Sequence, residues 1–339
     1  MSAAELSIGL RGDALTRGDV RTALWTDRTL VKTRGPRGTV HLLAAADLPM
    51  WTGALSAVPA GRGPFPPEVR MTGEQIDQVV AAIADAVEDA ELTVDELTDG
   101  IVARVGSWAG DRVMEAFQDK WPRWRQAEAI ATNRGAVCFG PDRGRRATYT
   151  SPRRWLPGFR PAPAAEALAS LVKRYLHAYG PATPAQFARW LGAPLDWSAK
   201  LFARQGDLEE VDFDGTTAWI TEGDGKAAVG ESIVRLLPYF DAYLIGCHPR
   251  PTLFPGRAAE RALTGGQAGN VPALLVDGLV AGVWHQRRSG RKVAVTAEPL
   301  ARLTARQRED LSAQAVRIGQ ILEGTATLTI GTVTVGAHA

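Results

Sequence analysis

The 339-residue sequence predicts an α+β fold, in which three segments of helices and hairpins precede a β-rich C-terminal part. The first observation is a repeated helix start, where a threonine stands three residues before an acidic or amide residue. The second is that each start leads, through a further helical stretch, to a glycine-punctuated β-prone run. The third is a change beyond Gly223, where short β-prone segments predict a small barrel or curled sheet.

The threonine caps are typical of helix N-termini, because the two side chains of a capping box satisfy backbone N–H groups that lack helical partners. The pairs are Thr16 with Asp19 (a shorter-armed version), Thr93 with Glu96, and Thr183 with Gln186. The β runs that follow them are Gly38 to Leu43, Ala136 to Thr150, and Leu208 to Ile220. Helix, turn, helix and hairpin in a threefold repeat predicts three winged helices in tandem.

We therefore predict four domains. They are a first winged helix at 1–71, a second with a basic wing at 72–160, a third at 161–224, and a β-barrel-like domain with a C-terminal helix and tail at 225–339. The hairpin of the third, which turns at Asp214-Gly215, carries four acidic residues and is interpreted as scaffold. In the last domain we expect strands at 232–237, 239–245, 273–276, 279–286 and 292–297, a helix from Ala305 to Leu322 capped by Thr304, and an edge strand within 325–335.

Composition excludes several classes of protein. Hydrophobic residues make up 45% and charged residues 22%, which argues against a disordered or fibrous chain. No apolar run could span a bilayer and the first ten residues lack the order of a signal peptide, so we expect a cytoplasmic protein. Cys138 and Cys247 are far apart, and we expect two buried thiols rather than a disulfide or a cysteine metal site. We expect no metal and no cofactor.

A basic loop, Thr33 to Leu42, follows residues that continue a helical pattern through Leu30 and Val31. A helix, a basic Gly/Pro loop and a β-prone run are how a winged helix enters its wing. The residues predicted to contact DNA here are Arg34, Arg37, Thr39 and His41. The alternative is an ordinary hairpin with solvated arginines, in which His41 bonds to the backbone.

Charge changes sign along the second domain. Twelve acidic residues stand against two basic ones from Thr72 to Asp119, and ten basic residues stand against two acidic ones from Lys120 to Arg160. We expect one face that repels a polyanion beside one that attracts it. The predicted DNA contacts are Arg123 and Arg125 in an aromatic helix over 121–131, and Arg143, Arg145 and Arg146 in the loop Gly140 to Arg146. A solvated hairpin tip is the alternative.

A second basic hairpin tip lies at Ser289-Gly290 and holds Arg287, Arg288, Arg291 and Lys292. Clustered arginines on a tight turn can clamp a phosphate. A solvated turn is an equally open interpretation of the same residues. Duplex DNA is therefore the predicted partner, and we expect a monomer.

Five motifs in order resemble the winged-helix family of AlkZ-like bacterial DNA glycosylases over nearly the whole chain. They are Thr33 with Arg37-Gly38-Thr39-x-His41-Leu42, Cys138-Phe139-Gly140-Pro141 with Arg143-Gly144-Arg145, Tyr179-Gly180-Pro181-Ala182-Thr183-Pro184, Arg235-Leu236-Leu237-Pro238, and Phe240-Asp241-x-Tyr243-Leu244-x-Gly246. The resemblance implies three tandem winged helices and a β-barrel that cradle duplex DNA. It also implies removal of alkylated bases, including the unhooking of interstrand crosslinks.

The sequence departs from the family pattern in two places. The family's catalytic Gln-x-Gln, or Gln-x-Asp in a sister branch, precedes the helix that here starts at Ser2, and the chain contains no Gln-x-Gln. Either Met1 is a late start, which the missing opening helix of the first winged helix favours, or this member lacks the motif. Arg34 and Pro36 stand where the family usually has Trp and Met.

The catalytic residues are therefore unknown. A glycosylase must stabilise positive charge growing on the sugar and position a water, and His41 is the nearest ionisable candidate on a matched motif. Asp241 could hold a water, but a buried turn acceptor is the more ordinary role. Two hypotheses follow: a glycosylase for bulky alkylated or crosslinked bases, and a non-catalytic DNA-binding protein.

Overall fold

The computed structural model describes residues 2–59, 65–115, 119–225, 233–263 and 265–336. Within these ranges the α-helices are α1 (Ser2–Gly9), α2 (Arg17–Trp25), α3 (Leu48–Ser56), α4 (Gly73–Ala86), α5 (Val94–Val105), α6 (Glu128–Asn133), α7 (Ala164–Tyr179), α8 (Pro184–Leu191), α9 (Leu195–Phe202), α10 (Ala242–Gly246), α11 (Arg250–Leu253), α12 (Arg257–Ala262) and α13 (Ala305–Ile321). The strands are β1 (Leu30–Arg34), β2 (Val40–Ala44), β3 (Leu92–Thr93), β4 (Arg112–Met114), β5 (Trp121–Pro122), β6 (Cys138–Arg143), β7 (Arg146–Thr150), β8 (Leu208–Phe213), β9 (Thr216–Thr221), β10 (Val234–Leu237), β11 (Ala273–Val276), β12 (Leu279–Ser289), β13 (Lys292–Pro299) and β14 (Thr325–Ile330).

The chain divides into two compact units. The terminal unit comprises Met1–Arg21, Leu176–Ala182 and Glu209–Ala339, and the central unit comprises Thr22–Tyr175 and Thr183–Leu208. The four predicted domains are a different division of the chain, and they stay a prediction. No helix among the described residues has the length and apolar character needed to cross a membrane.

The central unit contains the two arginine-rich loops predicted from the sequence. Helices α4, α5 and α6 enclose a core with the three-stranded sheet β3-β7-β6, and Trp124, which has no exposed surface, lies within it. The β1–β2 hairpin packs on a neighbouring cluster that includes Val31, Cys138 and Trp155. Both hairpins therefore rest on hydrophobic packing, which fixes where their tips lie.

The terminal unit is organised around a five-stranded sheet in the order β10-β11-β12-β13-β14. The first four strands are antiparallel neighbours, and β14 runs parallel to β13 as an edge strand. One face of the sheet packs against α13 and α1 through residues such as Leu6, Trp284 and Leu311. Helices α10, α11 and α12 cover a second apolar cluster around Phe254. The curled C-terminal sheet and the α+β class are thus confirmed.

Local predictions at helix starts and hairpin turns are confirmed. The boxes at Thr93 and Thr183 close in both directions, as does the one at Thr304, and Thr16 exchanges hydrogen bonds with Asp19. The Asp214-Gly215 and Asp277-Gly278 turns connect antiparallel strands, and the tail supplies β14. The hairpin at Ser289-Gly290 turns between β12 and β13.

Three element predictions are wrong. Leu30 and Val31 lie in β1 rather than a helix, because α2 ends at Trp25 and alternate residues of β1 then face the core. The helix expected over 121–131 is wrong in its first two residues, which form β5, since Pro122 favours an extended residue before it; a 3₁₀ helix over Arg123–Ala127 then leads into α6. The strand expected over 239–245 is largely α10, which the Asp241 side chain caps. The strand expected from Ser232 begins at Val234 among the described residues, and Ser232 itself lies outside them.

Candidate nucleic-acid interface

A buried carboxylate lies beneath the first predicted loop. Glu128, at the start of α6, is only 4% exposed. Its Oε1 accepts hydrogen bonds from Arg34 Nη2 at 2.6 Å and from Tyr149 Oη at 2.9 Å, and its Oε2 accepts from Arg125 Nε at 3.1 Å. Buried charges are tolerated when they are paired in this way. We call these four residues the Glu128 cluster.

The Glu128 cluster keeps its carboxylate ionised. Burial by itself would raise the pKa of Glu128, but the charges of Arg34 and Arg125 and the hydrogen bonds from Arg34 and Tyr149 hold that pKa below its ordinary value. Burial, together with the Glu128 charge, raises the pKa of Tyr149 well above its usual range. Tyr149 is thus a neutral donor at physiological pH. The ionised Glu128 carboxylate thus holds the side chains of Arg34 and Arg125 in place.

Arg34 and Arg37 fix the loop between β1 and β2 from its two ends. Arg34 Nη1 donates to the Gly38 carbonyl at 2.7 Å, while Arg37 donates to the carbonyl of Trp190 in α8. Thr39 Oγ1 donates to the Pro36 carbonyl across the turn. Arg37 itself has φ +59°, in the left-handed region that favours glycine. The loop is therefore a held structure, and its exposed residues are Arg37 and Thr39.

His41 pairs with Thr33 across β1 and β2, and its ring folds back onto the loop. Its Nδ1 lies 2.8 Å from the Thr39 carbonyl, and a carbonyl can only accept, so Nδ1 carries the proton. Burial lowers the pKa of His41, and the nearby Arg37 charge lowers it further against the effect of the Thr39 carbonyl. A neutral ring of this tautomer presents Nε2 as an acceptor. Backbone bonding, the alternative foreseen for His41, is what the structure shows.

The second predicted loop is shorter than expected, because β6 and β7 extend into it and leave Gly144 and Arg145 at the tip. Arg143 Nη1 donates to Glu96 Oε1 at 2.8 Å, and Arg146 lies 3.6 Å from Asp95. Arg145 is exposed and makes no ion pair with any residue that the structure describes. Of the three arginines, only Arg145 is ready to meet a phosphate without first leaving a carboxylate.

The separate acidic and basic faces expected for this segment are wrong. The two charge runs pair with each other across the unit, because the β6–β7 hairpin and α6 lie over the acidic helices α4 and α5. The cross-run pairs include Arg134 with Asp77, Arg143 with Glu96, Arg146 with Asp95, Arg153 with Glu88, and Arg154 with Glu91. Exposed pairs of this kind are weak and can exchange a carboxylate for a phosphate.

Arg123 and Arg125 are half-buried and make contacts inside the central unit. Arg123 donates to the Val69 carbonyl and lies 3.4 Å from Asp111. Arg125 bonds to Glu128 and stacks under the exposed ring of Trp121, with 4.3 Å from the guanidinium carbon to the ring centroid. The structure thus gives these two arginines a role in packing, and their contact with DNA stays a prediction.

In the terminal unit, the β12–β13 hairpin presents a basic groove. Registers across three strands place Arg287 beside Ala294 and Thr327, and Ser289 beside Lys292 and Thr325, on one face. With Arg291 these residues line a groove of about 750 Å³ that includes no carboxylate. Arg288, the next residue along β12, lies on the opposite face of the sheet, and its Nε donates to the Gly290 carbonyl at 2.9 Å. Lys292 was expected at this tip together with the arginines, whereas the contributions of Ser289, Thr325 and Thr327 were not predicted, although strand alternation could have found them.

Asp241 is a turn acceptor and not a water site. Its fully buried carboxylate accepts two hydrogen bonds from Arg11, at 2.7 and 2.8 Å, one from Ser7 Oγ, and one from the Tyr243 amide. This anchor holds α1 against the turn before α10 within the terminal unit. Sequence reasoning missed it, because Arg11 and Asp241 are 230 positions apart. Among the described residues, no three His, Cys, Asp or Glu side chains gather as metal ligands.

Comparisons with known proteins place these features in a family. The profile of the family described as DNA glycosylase AlkZ-like matches residues 1–321. The chain is 32% identical over 302 residues to an interstrand DNA cross-link repair glycosylase of Streptomyces sahachiroi, a match that covers 84% of this chain and 77% of that protein. The structure is similar to that solved for the DNA glycosylase AlkZ of Streptomyces sahachiroi, with a TM-score of 0.79 and 28% identity over 97% of this chain and 89% of that one.

Proposed function

Because the chain belongs to the AlkZ-like family of DNA glycosylases, we propose that it binds duplex DNA and excises bulky alkylated or crosslinked bases from it. The observation that carries this proposal is the 32% identity, over 302 residues, to a glycosylase named for interstrand crosslink repair. A likeness of this extent in both sequence and fold supports a shared substrate class. Tandem winged helices are part of the same proposal.

The exposed cations of both units support a DNA partner. Arg145 at the β6–β7 tip and the group Arg287, Arg291 and Lys292 in the β12–β13 groove are free of ion pairs within the described part of the chain. Each can neutralise a phosphate and release a condensed counterion, which is the main source of affinity for DNA. Hydroxyl groups of Ser289, Thr325 and Thr327 add donors of the kind that bind phosphate and sugar.

A second candidate function is DNA binding without catalysis. It is favoured by the engagement of the candidate carboxylates with other protein groups. Glu128, beneath the β1–β2 loop, accepts from three donors, and Asp241, in the terminal unit, is bound by Arg11. The neutral His41 has an acceptor nitrogen to offer, but it is not a cation for charge stabilisation.

Release of a base from a duplex that contains a single N7-alkylguanine separates the two functions. Release above the spontaneous rate of the same duplex supports excision. Binding of the duplex with release at the spontaneous rate supports the non-catalytic function. The variant with Arg145, Arg287, Arg291 and Lys292 changed to Ala controls for contaminating activity, because it should lose binding and release together. Failure of the wild-type protein to bind the duplex contradicts both functions.

A further inference from the structure

Two adjacent aromatic side chains, Tyr239 and Phe240, stand in the turn between β10 and α10. Their ring centroids are 6.4 Å apart, and the planes are inclined by 41°. Phe240 is 48% exposed. A single exposed apolar residue is ordinary in a folded protein. The backbone conformation of Phe240, however, is unusual.

Phe240 has φ +55°, in the left-handed region. Steric repulsion of the side chain makes this conformation rare outside glycine, asparagine and aspartate, and a bulky residue there is a true outlier. Such strain persists only where the surrounding structure over-determines it, and it concentrates at binding and catalytic sites. Phe240 is one of seven non-glycine residues with positive φ in the described part of the chain, and among these it is the aromatic one.

The surroundings of Phe240 hold it on both sides. Its amide donates to the Gly269 carbonyl at 2.8 Å, and a Cβ at Gly269 would lie 3.3 Å from the Phe240 Cα, so the two backbones are in close approach. The next residue, Asp241, is fixed by Arg11, Ser7 and the Tyr243 amide. The fold thus keeps the strained turn, which presents the ring to solvent one residue before the carboxylate that binds the Arg11 guanidinium.

An exposed ring with a second ring 6.4 Å away offers an unpaired nucleobase a surface on which to stack. Aromatic side chains stack on bases of any identity, because every base has a π-face. A base that is displaced from the double helix loses its stacking with the neighbouring bases, and it regains stacking on such an aromatic surface. We propose that Phe240, backed by Tyr239, stacks on an unpaired or extruded base of the bound DNA. The inference rests on the proposed function, since it requires DNA in the site.

The test compares two duplexes of one sequence, one fully paired and one with a single bulged 2-aminopurine. The wild-type protein should bind the bulged duplex about tenfold more tightly and quench its fluorescence, in keeping with the effect of one stacking aromatic. Phe240→Asn should lose the preference and the quenching while its affinity for the paired duplex is unchanged. Phe240→Trp should keep both. Val316→Ala, at an exposed apolar residue of α13, is the matched control and should behave as wild type.

Thermal unfolding separates a binding role from a packing role. Asparagine adopts the left-handed region readily, so Phe240→Asn should melt at the same temperature as the wild type or higher. A lower melting temperature with equal loss of affinity for both duplexes would overturn the inference, as would a wild-type protein without preference for the bulge, or a preference that survives Phe240→Asn. If neither duplex is bound at all, the proposed function itself is overturned.

Discussion

The Nη2 atom of Arg34 lies 2.6 Å from Oε1 of Glu128, although the two residues are 94 positions apart. This bond joins the end of β1 to the start of α6 within the central unit. Through its second nitrogen Arg34 also holds the Gly38 carbonyl, so the position of the loop depends on a carboxylate outside the hairpin. Glu128 therefore positions a predicted DNA-contacting loop without any need to touch DNA.

Glu128→Gln should destabilise the protein by about 3 kcal/mol, since removing one member of a buried ionic group leaves the others uncompensated. Arg34 and Arg125 would lose their shared carboxylate and keep their charges. Denaturant unfolding measures the change. Glu88→Gln, at an exposed residue 3.7 Å from Arg153, is the matched control and should change stability by less than about 1 kcal/mol. Equal effects of the two substitutions would contradict the role given to the cluster.

The same pair of proteins tests the pKa of Glu128. That pKa is lower in the folded than in the unfolded chain, so the stabilisation is complete above the unfolded pKa of about 4.3 and is lost as the pH falls through the folded pKa. The difference in unfolding free energy between wild type and Glu128→Gln should be constant near neutral pH and should shrink below about pH 4. If the difference instead grows on acidification, folding does not lower the pKa of Glu128.

Arg145→Ala should weaken duplex binding more than Arg143→Ala or Arg146→Ala does. Arg143 and Arg146 must leave Glu96 and Asp95 before they reach phosphate, whereas Arg145 has no such partner among the described residues. Fluorescence anisotropy on one duplex at fixed salt makes the comparison. Glu96→Gln should release Arg143 and thereby strengthen binding. If all three alanine variants bind equally, the pairs do not compete with DNA.

The double variant Arg287→Ala with Lys292→Ala should lower the slope of log affinity against log salt by about two, because each cation that neutralises a phosphate adds roughly one to that slope. Both side chains line the groove of the β12–β13 hairpin. Arg104→Ala, at an exposed arginine paired with Asp85, is the control and should leave the slope unchanged. If the slope is unchanged in the double variant, Arg287 and Lys292 do not contact DNA phosphates.

Asp241→Asn should destabilise the protein by about 3 kcal/mol or more, because Arg11 then faces a buried amide in place of a carboxylate. The double variant with Arg11→Met should lose less than the sum of the single losses, since the two side chains form one bonded group. Glu323→Gln, in the exposed pair with Arg17, is the matched control with little effect. Strict additivity would contradict the anchor.

Local rules predicted the elements that local interactions decide. The boxes at Thr93 and Thr183 and the Asp-Gly turns depend on neighbouring residues, so the sequence predicted them, although the equivalent box of Thr72 with Gln75 was missed. Leu30 and Val31 were misassigned because apolar spacing alone does not separate a short strand from a helix continuation.

The site was harder to predict for a physical reason. The pairing of Arg34 with Glu128, Arg143 with Glu96, and Arg11 with Asp241 joins residues that are far apart in the chain, so no spacing in the sequence reports them. Charge counts along the chain indicated opposed faces, and only the packing of α5 beneath the β6–β7 hairpin shows that the charges meet. Arg287 and Arg288 lie on opposite faces of the sheet, and which of them faces the groove is known only once the strand register is known.

The central claim is that this chain binds duplex DNA through its exposed cations. Its most direct test is to measure the dissociation constant of an unmodified duplex between about 50 and 200 mM salt. If about six phosphates are neutralised, affinity should fall by roughly a thousandfold across this range. A dissociation constant that does not change with salt, or the absence of binding at the lowest salt, would contradict the claim.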